Sequence, residues 1–267
     1  MMEKLTEDHT HKQSAEVEAY DHKKVNRRTF ISSLTFLTGS ALAYWGWDKL
    51  YHAPKETIAD ATSNAREPLR RVLDANGNLM ERAVSPQHLA RTYPKAMAAK
   101  NPRLNGSIGI KSKVPQDWKL EVVKSATETL QISLNELRQL PKTEFAFDFK
   151  CVEGWSEISH WGGVKFSDFV KHYGLIDQAK MEYVGLHTPD KKYYVGIDMP
   201  SALHPQTLLC YEVSGKPLSA NHGAPLRLII PTKYGIKNLK RIGTIFFSNQ
   251  RPPDYWAELG YDYFSGL

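Results

Sequence analysis

The feature that most constrains this chain is an uncharged run near its N-terminus. Residues 30–47 contain no Asp, Glu, Lys or Arg and are apolar on every side, and Lys23-Lys24-Val25-Asn26-Arg27-Arg28 stands shortly before them. A helix that covers a soluble core keeps one polar face, so this run predicts an address or an anchor instead. A charged region, a paired arginine, Phe30 two positions later and a moderately apolar stretch with Ser, Thr and Gly together fit a twin-arginine export signal. That route carries proteins already folded, which suits a chain that must receive a large cofactor before crossing a membrane. Ala41-Leu42-Ala43 offers a cleavage site. The run also approaches the ~20 residues of a spanning helix, so removal of the signal and retention as a membrane anchor through residues 30–47 both stay open. Residues 1–48 are thus read as a twin-arginine signal or N-terminal anchor, and the expected location is the periplasm.

Residues 49–95 are polar and mixed, punctuated by Pro54, Pro68, Asn76-Gly77 and Pro86, and are read as a linker region with short helices. From Trp118 the pattern changes. Residues 118–123 and 129–132 alternate in polarity, and Ser133-Leu134-Asn135-Glu136-Leu137 opens like a capped short helix. Further strands are expected over residues 144–152, 183–187, 193–197, 207–213, 226–231 and 242–247, each bounded by Gly, Pro, Asn or Asp, and a helix over 166–173. Strands and short helices without a βαβ rhythm predict an α+β domain of mixed sheets with short helices, not a doubly wound parallel sheet.

Charge and cysteine usage exclude other classes. The formal net charge is +6 and the basic residues fall into separate places, of which 111–124 and 233–241 are the notable stretches, which argues against a nucleic-acid footprint. Two cysteines, Cys151 and Cys210, are too few for a disulfide scaffold or a four-cysteine zinc or iron–sulfur site. The bland alternative is one disulfide between them, which export would permit. Cys151 ends an apolar strand at the turn Val152-Glu153-Gly154-Trp155-Ser156. A single thiolate there is a sensible donor to a metal whose other ligands come from a cofactor and oxo groups, although a lone cysteine at a strand end is more often a packed core residue.

Three downstream segments weigh against the packing role: Asn221-His222-Gly223-Ala224-Pro225-Leu226-Arg227, Tyr234-Gly235-Ile236-Lys237-Asn238-Leu239-Lys240, and the hairpin over 208–218. With Cys151-Val152-Glu153-Gly154-Trp155 they make the chain resemble the sulfite-oxidase superfamily of molybdopterin-binding domains, within it the exported bacterial branch that includes periplasmic methionine-sulfoxide reductase catalytic subunits. The resemblance covers residues 118–247 and implies a sulfite-oxidase-type fold, with residues 96–267 as the catalytic domain. It implies Mo-molybdopterin as cofactor and Cys151 as the metal ligand and catalytic residue. Thr188, His222, Arg227, Asn238, Leu239 and Lys240 are the implied contacts to the pterin and its phosphate. Asn105 in Arg103-Leu104-Asn105-Gly106 is implied as a further contact, at a spacing to the cysteine that departs from the family pattern. A phosphate suits a forked guanidinium, a lysine and backbone N–H groups, which Arg227, Lys240 and the Gly235 loop can supply. Trp155, His160, Trp161, Tyr193, Tyr194, Asp254, Tyr255 and Trp256 are candidates to surround a small-molecule substrate.

The implied activity is two-electron oxygen-atom transfer on a small substrate such as a sulfoxide or sulfite, in a direction the residues leave open. The chain holds no C-x-x-C-H haem motif, so electrons are expected to pass through a separate carrier, a cytochrome b-type membrane subunit or a cytochrome c. The chain ends soon after Tyr263, which predicts a monomer or a chain docked to a membrane subunit. Two rival readings are an exported binding module that keeps the fold without metal, and a cysteine hydrolase, for which no local motif speaks.

Overall fold

The computed structural model describes residues 3–55, 66–83, 88–111, 113–114 and 116–267. Pro86, one of the linker's turn signals, lies outside them. The chain divides into two compact units, residues 1–55 with 66–68 and residues 56–65 with 69–267. The first is dominated by one helix, α1 (Glu3–His52), whose large apolar side chains from Phe30 to Trp47 are exposed. No helix among the described residues is long and apolar enough to cross a membrane.

Helix α2 (Glu67–Ala83), of which residues 69–83 belong to the second unit, precedes a short strand β1 (Thr92–Tyr93), then β2 (Lys119–Val123) and β3 (Thr129–Ser133). Ser133 opens α3 (Leu134–Leu137): its hydroxyl accepts from the Glu136 N–H while the Glu136 carboxylate accepts from the Ser133 N–H, the reciprocal cap expected from the sequence. Next come β4 (Lys142–Lys150), β5 (Ser156–Lys165), α4 (Phe166–His172), β6 (Tyr183–His187), β7 (Tyr194–Asp198) and α5 (Met199–Ala202). The chain closes with β8 (Leu208–Val213), β9 (Lys216–Pro217), β10 (Arg227–Ile229), β11 (Thr244–Ser248) and α6 (Tyr255–Glu258).

Two sheets result. One runs β1-β4-β5-β8-β10 with β9 hydrogen-bonded to β8, and all its pairs are antiparallel. The other runs β3-β2-β11-β6-β7 and is mixed, because β11 lies parallel to β2. Leu120, Val122, Val184, Leu186, Val195, Ile197 and Ile245 from the mixed sheet join Leu209, Tyr211, Leu226, Leu228 and Ile230 from the other in one core cluster. Their burial is what holds the α+β arrangement.

Beyond the long α2 in the expected linker and the short β1, α5 and α6, two differences from the sequence expectation turn on glycine. Strand β5 was not foreseen, since Gly162-Gly163 reads as a break. The register shifts between these glycines, and a Cβ on Gly163 would come within 2.2 Å of the Leu209 carbonyl oxygen. Glycine there admits a close approach of β8 at a bulge. Asn76-Gly77, a turn signal in isolation, lies inside α2, where a Cβ on Gly77 would meet Asp262 Oδ1 at 2.8 Å. Tertiary contact, not turn chemistry, selects the residue.

Candidate active site

Strands β4 and β5 form a hairpin whose last pair is Lys150 with Ser156, and the loop between them is Cys151 to Trp155. The Cys151 N–H donates to the Trp155 carbonyl and the Gly154 N–H to the Cys151 carbonyl. The turn needs Gly154 in the left-handed region (φ +85). These bonds fix the thiol at the floor of a cleft walled by Asn105, Ile108, Glu153, Tyr193, Asn238, Lys240, Trp256 and Tyr261. Cys151 is a free thiol and only 6% exposed. Burial, reinforced by the Glu153 charge and opposed by backbone N–H groups, holds its thiol above the ordinary range. A cation at the sulfur would be needed to make it a thiolate. Cys210 is free as well, which removes the disulfide alternative. It is wholly buried and donates to the Gly162 and Glu212 carbonyls, as a packed core residue does.

Beneath the cleft lie two buried cations. Arg227 begins β10 and is 1% exposed; its guanidinium sits 4.5 Å from the centre of the Trp161 ring and donates to the carbonyls of His222 and Asn238. Its Nε has no hydrogen-bond partner. Lys240 is 5% exposed and donates to the Gly106 and Asn221 carbonyls. Among the described residues neither has a carboxylate within salt-bridge distance. Burial, together with repulsion from Arg227, lowers the Lys240 pKa to about 7, and burial lowers that of Arg227 to about 10. Burying charge without a counter-charge is costly, so this pair suits a ligand that brings negative charge.

The other predicted residues are placed unevenly. Asn105 lines the cleft and its amide reaches the Gly235 carbonyl at 3.4 Å; Asn238 lines it too, while its side-chain oxygen accepts from the Ile230 N–H at 2.6 Å. His222 lies in the turn before β10, bonded to Ser219 and to the Pro102 carbonyl. Thr188 is fully buried after β6 and bonded to Asp190, against the loop at Gly109. Leu239 points into the core.

Of the proposed substrate surroundings, Tyr193 and Trp256 reach the cleft. Trp155 stacks on Phe149 and lies under the Arg103 guanidinium beside the same loop. Trp161 is spent under Arg227, His160 is buried in β5 near Glu144, Tyr194 bonds Glu258, and Asp254 is locked to Lys237. Tyr255 packs edge-on against Tyr193. Glu153, Ile108 and Tyr261 were missed as cleft walls. Glu153 adjoins the cysteine in the motif, but nothing in the sequence near Tyr261 signals a site.

A cleft with a buried thiol on its wall and buried, carboxylate-free cations at and beside it suits an anionic cofactor that carries a thiophilic metal. The chain belongs to the oxidoreductase molybdopterin-binding domain family, whose model matches residues 107–256. It is therefore a molybdopterin-dependent oxidoreductase of the sulfite-oxidase type, with Mo-molybdopterin as its cofactor. An Azospira oryzae protein named as a subunit of a protein-methionine-sulfoxide reductase is 38% identical over 184 residues, covering 68% of this chain and 69% of that one. The protein-methionine-sulfoxide reductase catalytic subunit of Campylobacter jejuni is 29% identical over 197 residues, 68% of this chain and 66% of its own. That of Xanthomonas campestris is 32% identical over 166 residues, 56% and 52% of the two chains. Among solved structures, the sulfane dehydrogenase SoxCD from Paracoccus pantotrophus aligns with a TM-score of 0.47 at 16% identity, over 52% of this chain and 40% of that one. The matched stretch spans about half to two thirds of the curated relatives.

Proposed function

We propose that this chain is an exported catalytic subunit that reduces a sulfoxide of the methionine-sulfoxide type, taking electrons from a separate cytochrome. The observation that carries the reading is the Cys151 thiol and the Lys240 ammonium on the walls of one cleft, with the buried Arg227 close enough to Lys240 to repel it and no carboxylate pairing either cation among the described residues. Relatives named as methionine-sulfoxide reductase subunits support the substrate class. The reaction consumes one sulfoxide, two electrons and two protons and gives a thioether and water.

Cys151 would ligate the molybdenum, which supplies the oxygen-atom and two-electron chemistry when bound. Arg227 and Lys240 would take the phosphate of the pterin tail, with Asn105, Asn238, His222 and the backbone at Leu239 completing its cradle and Thr188 shaping the wall behind. With the metal bound, the thiol would be held as a thiolate, and the Glu153 carboxylate on the same cleft wall would be an acceptor for its proton. Tyr193, held by a hydrogen bond to the Ile236 carbonyl, and Trp256 would present an apolar wall to the substrate's alkyl part. Export by the twin-arginine route and a cytochrome b-type membrane subunit or cytochrome c as donor belong to the same proposal.

The test is metal analysis and electron paramagnetic resonance on protein from a host that makes the cofactor, with Cys151→Ser beside it. Near-stoichiometric molybdenum in the parent, an altered or lost Mo(V) signal in the variant, and sulfoxide turnover lowered by more than about 100-fold are expected; outer-shell partners of a metal already reach that scale. Folded parent protein without molybdenum would overturn the reading in favour of a binding module.

A further inference from the structure

Helix α2 is built inside out. It begins at Glu67, and Leu69, Val72, Leu73, Leu79 and Met80 recur at the three- and four-residue spacing of one helical face. A helix that closes a core turns such a face inward. Here all five are exposed, between 36% and 60%, and the polar side is the one that meets the domain. Arg70 donates to the Gly260 carbonyl at 3.2 Å, Asn78 accepts from Arg251 at 2.8 Å, and the buried Gly77 lies against Asp262. Gly260 and Asp262 flank Tyr261, a wall of the Cys151 cleft. Among the described residues this apolar face, interrupted by Asn76, is left unpartnered by the fold that positions it, and an exposed patch of this kind marks an interaction surface.

We infer that the α2 stripe lies on the surface of a lipid bilayer. The upstream chain identifies the occupant. Residues 30–47 carry no charge and expose Phe30, Leu34, Phe36, Leu37 and Leu42, then Trp45 and Trp47 at the downstream end. Such a segment partitions into lipid, with its aromatic end at the boundary with water. It is tethered to α2 through residues 48–66, whose fully extended reach is at most ~65 Å. A bilayer that receives the one therefore meets the other at high effective concentration. The helix itself has the composition of an interfacial one: a broad apolar face, low net hydrophobicity and arginines at 70, 71 and 82 on and beside its polar side. Because α2 is held through the segment flanking Tyr261, lipid contact would fix the cleft near the membrane surface, on the side from which a membrane-embedded electron donor is reached. This inference rests on α2 and not on the identity of the substrate.

The experiment reads α2 separately from α1. A bimane fluorophore is attached in the full-length, molybdenum-loaded protein at Leu73→Cys, at Leu79→Cys, and on the opposite side at Asp74→Cys; the native Cys151 and Cys210 are buried. Each is mixed with phosphatidylethanolamine–phosphatidylglycerol vesicles with or without lipid brominated near the headgroup. Labels at 73 and 79 should lose about half of their fluorescence to bromine, because an interfacial helix sinks its apolar face ~5–10 Å, while the label at 74 stays unchanged. Protein that floats with the vesicles through α1 and shows no quenching at 73 or 79 would overturn the inference. So would a blue shift at 73 and 79 that appears without vesicles and grows with protein concentration, the mark of a second copy on the stripe. Leu73→Asp with Leu79→Asp in the unlabelled protein, retaining molybdenum, should lower vesicle binding of the whole chain by about tenfold or more, since each leucine loses its apolar burial.

Discussion

Between Arg227 and Lys240 the chain buries two kinds of cation. Lys233 and Lys237 are matched: Lys233 lies 2.9 Å from Asp198 and donates to the Phe264 carbonyl, and Lys237 lies 2.5 Å from Asp254 and also donates to the Gly196 carbonyl. Arg227 and Lys240 are equally buried and unmatched by any carboxylate among the described residues. The first pair ties the loop after β10 to β7 and to the C-terminal segment. Of the second, Lys240 lines the cleft and Arg227 is buried close by. A buried charge with its partner belongs to the fold, and a buried charge without one is kept for a ligand that brings the opposite charge.

The comparison breaks most visibly if a matched pair is opened. Asp254→Ala strands the Lys237 ammonium and also removes the acceptor for the Gly196 and Ala257 N–H groups. Denaturant unfolding of the cofactor-free protein should show a loss of about 3–5 kcal/mol. On the other side, Arg227→Met removes an unmatched charge while keeping length to pack on Trp161. Stability of the cofactor-free protein should hold or rise, whereas molybdopterin content should fall by about 10–100-fold. The opposite result, stability lost and content intact, would make Arg227 structural and erase the distinction.

The smallest effect is one of pH. Burial and Arg227 hold the Lys240 pKa near 7 in the cofactor-free fold, below the ordinary lysine value of about 10.4 that the unfolded chain keeps. Below pH 7 both states carry the proton and the destabilisation is fully present. Between pH 7 and about 10 only the unfolded state carries it, so stability should rise with pH, by at most about 1.4 kcal/mol per unit from this one group. Thermal unfolding across that window checks the slope. Lys240→Met should flatten it, and so should the bound cofactor, whose phosphate restores the charge.

Much of the second unit was legible in advance because its strands carry their own periodicity and their own stops. Tyr183–His187 and the Ser133–Glu136 cap are decided by neighbours in sequence. Strand β5 was not legible, because Gly162-Gly163 is explained only by the close approach of Leu209 across the sheet. For the site, the motif around Cys151 pointed to the thiol that lines the cleft, and the run from Arg227 to Lys240 held the buried cations. Their sequence does not separate Lys233 and Lys237 from Arg227 and Lys240: all four are basic residues in one basic stretch, and the carboxylates that claim two of them come from positions 198 and 254. Nor does it show which way α2 faces, since an amphipathic pattern has the same period whether its apolar side is covered or bare.

The sequence by itself determined most of the strands, where the thiol stands in its turn, and that residues 30–47 form an uncharged run. Those follow from local sterics, hydrogen bonding and periodicity. Only the tertiary structure decided which buried cations are answered by carboxylates, that Tyr261 and Trp256 wall the cleft, and that α2 turns its apolar side outward. Each of these depends on residues far apart in the chain meeting in one place, and pairing and burial are properties of that meeting.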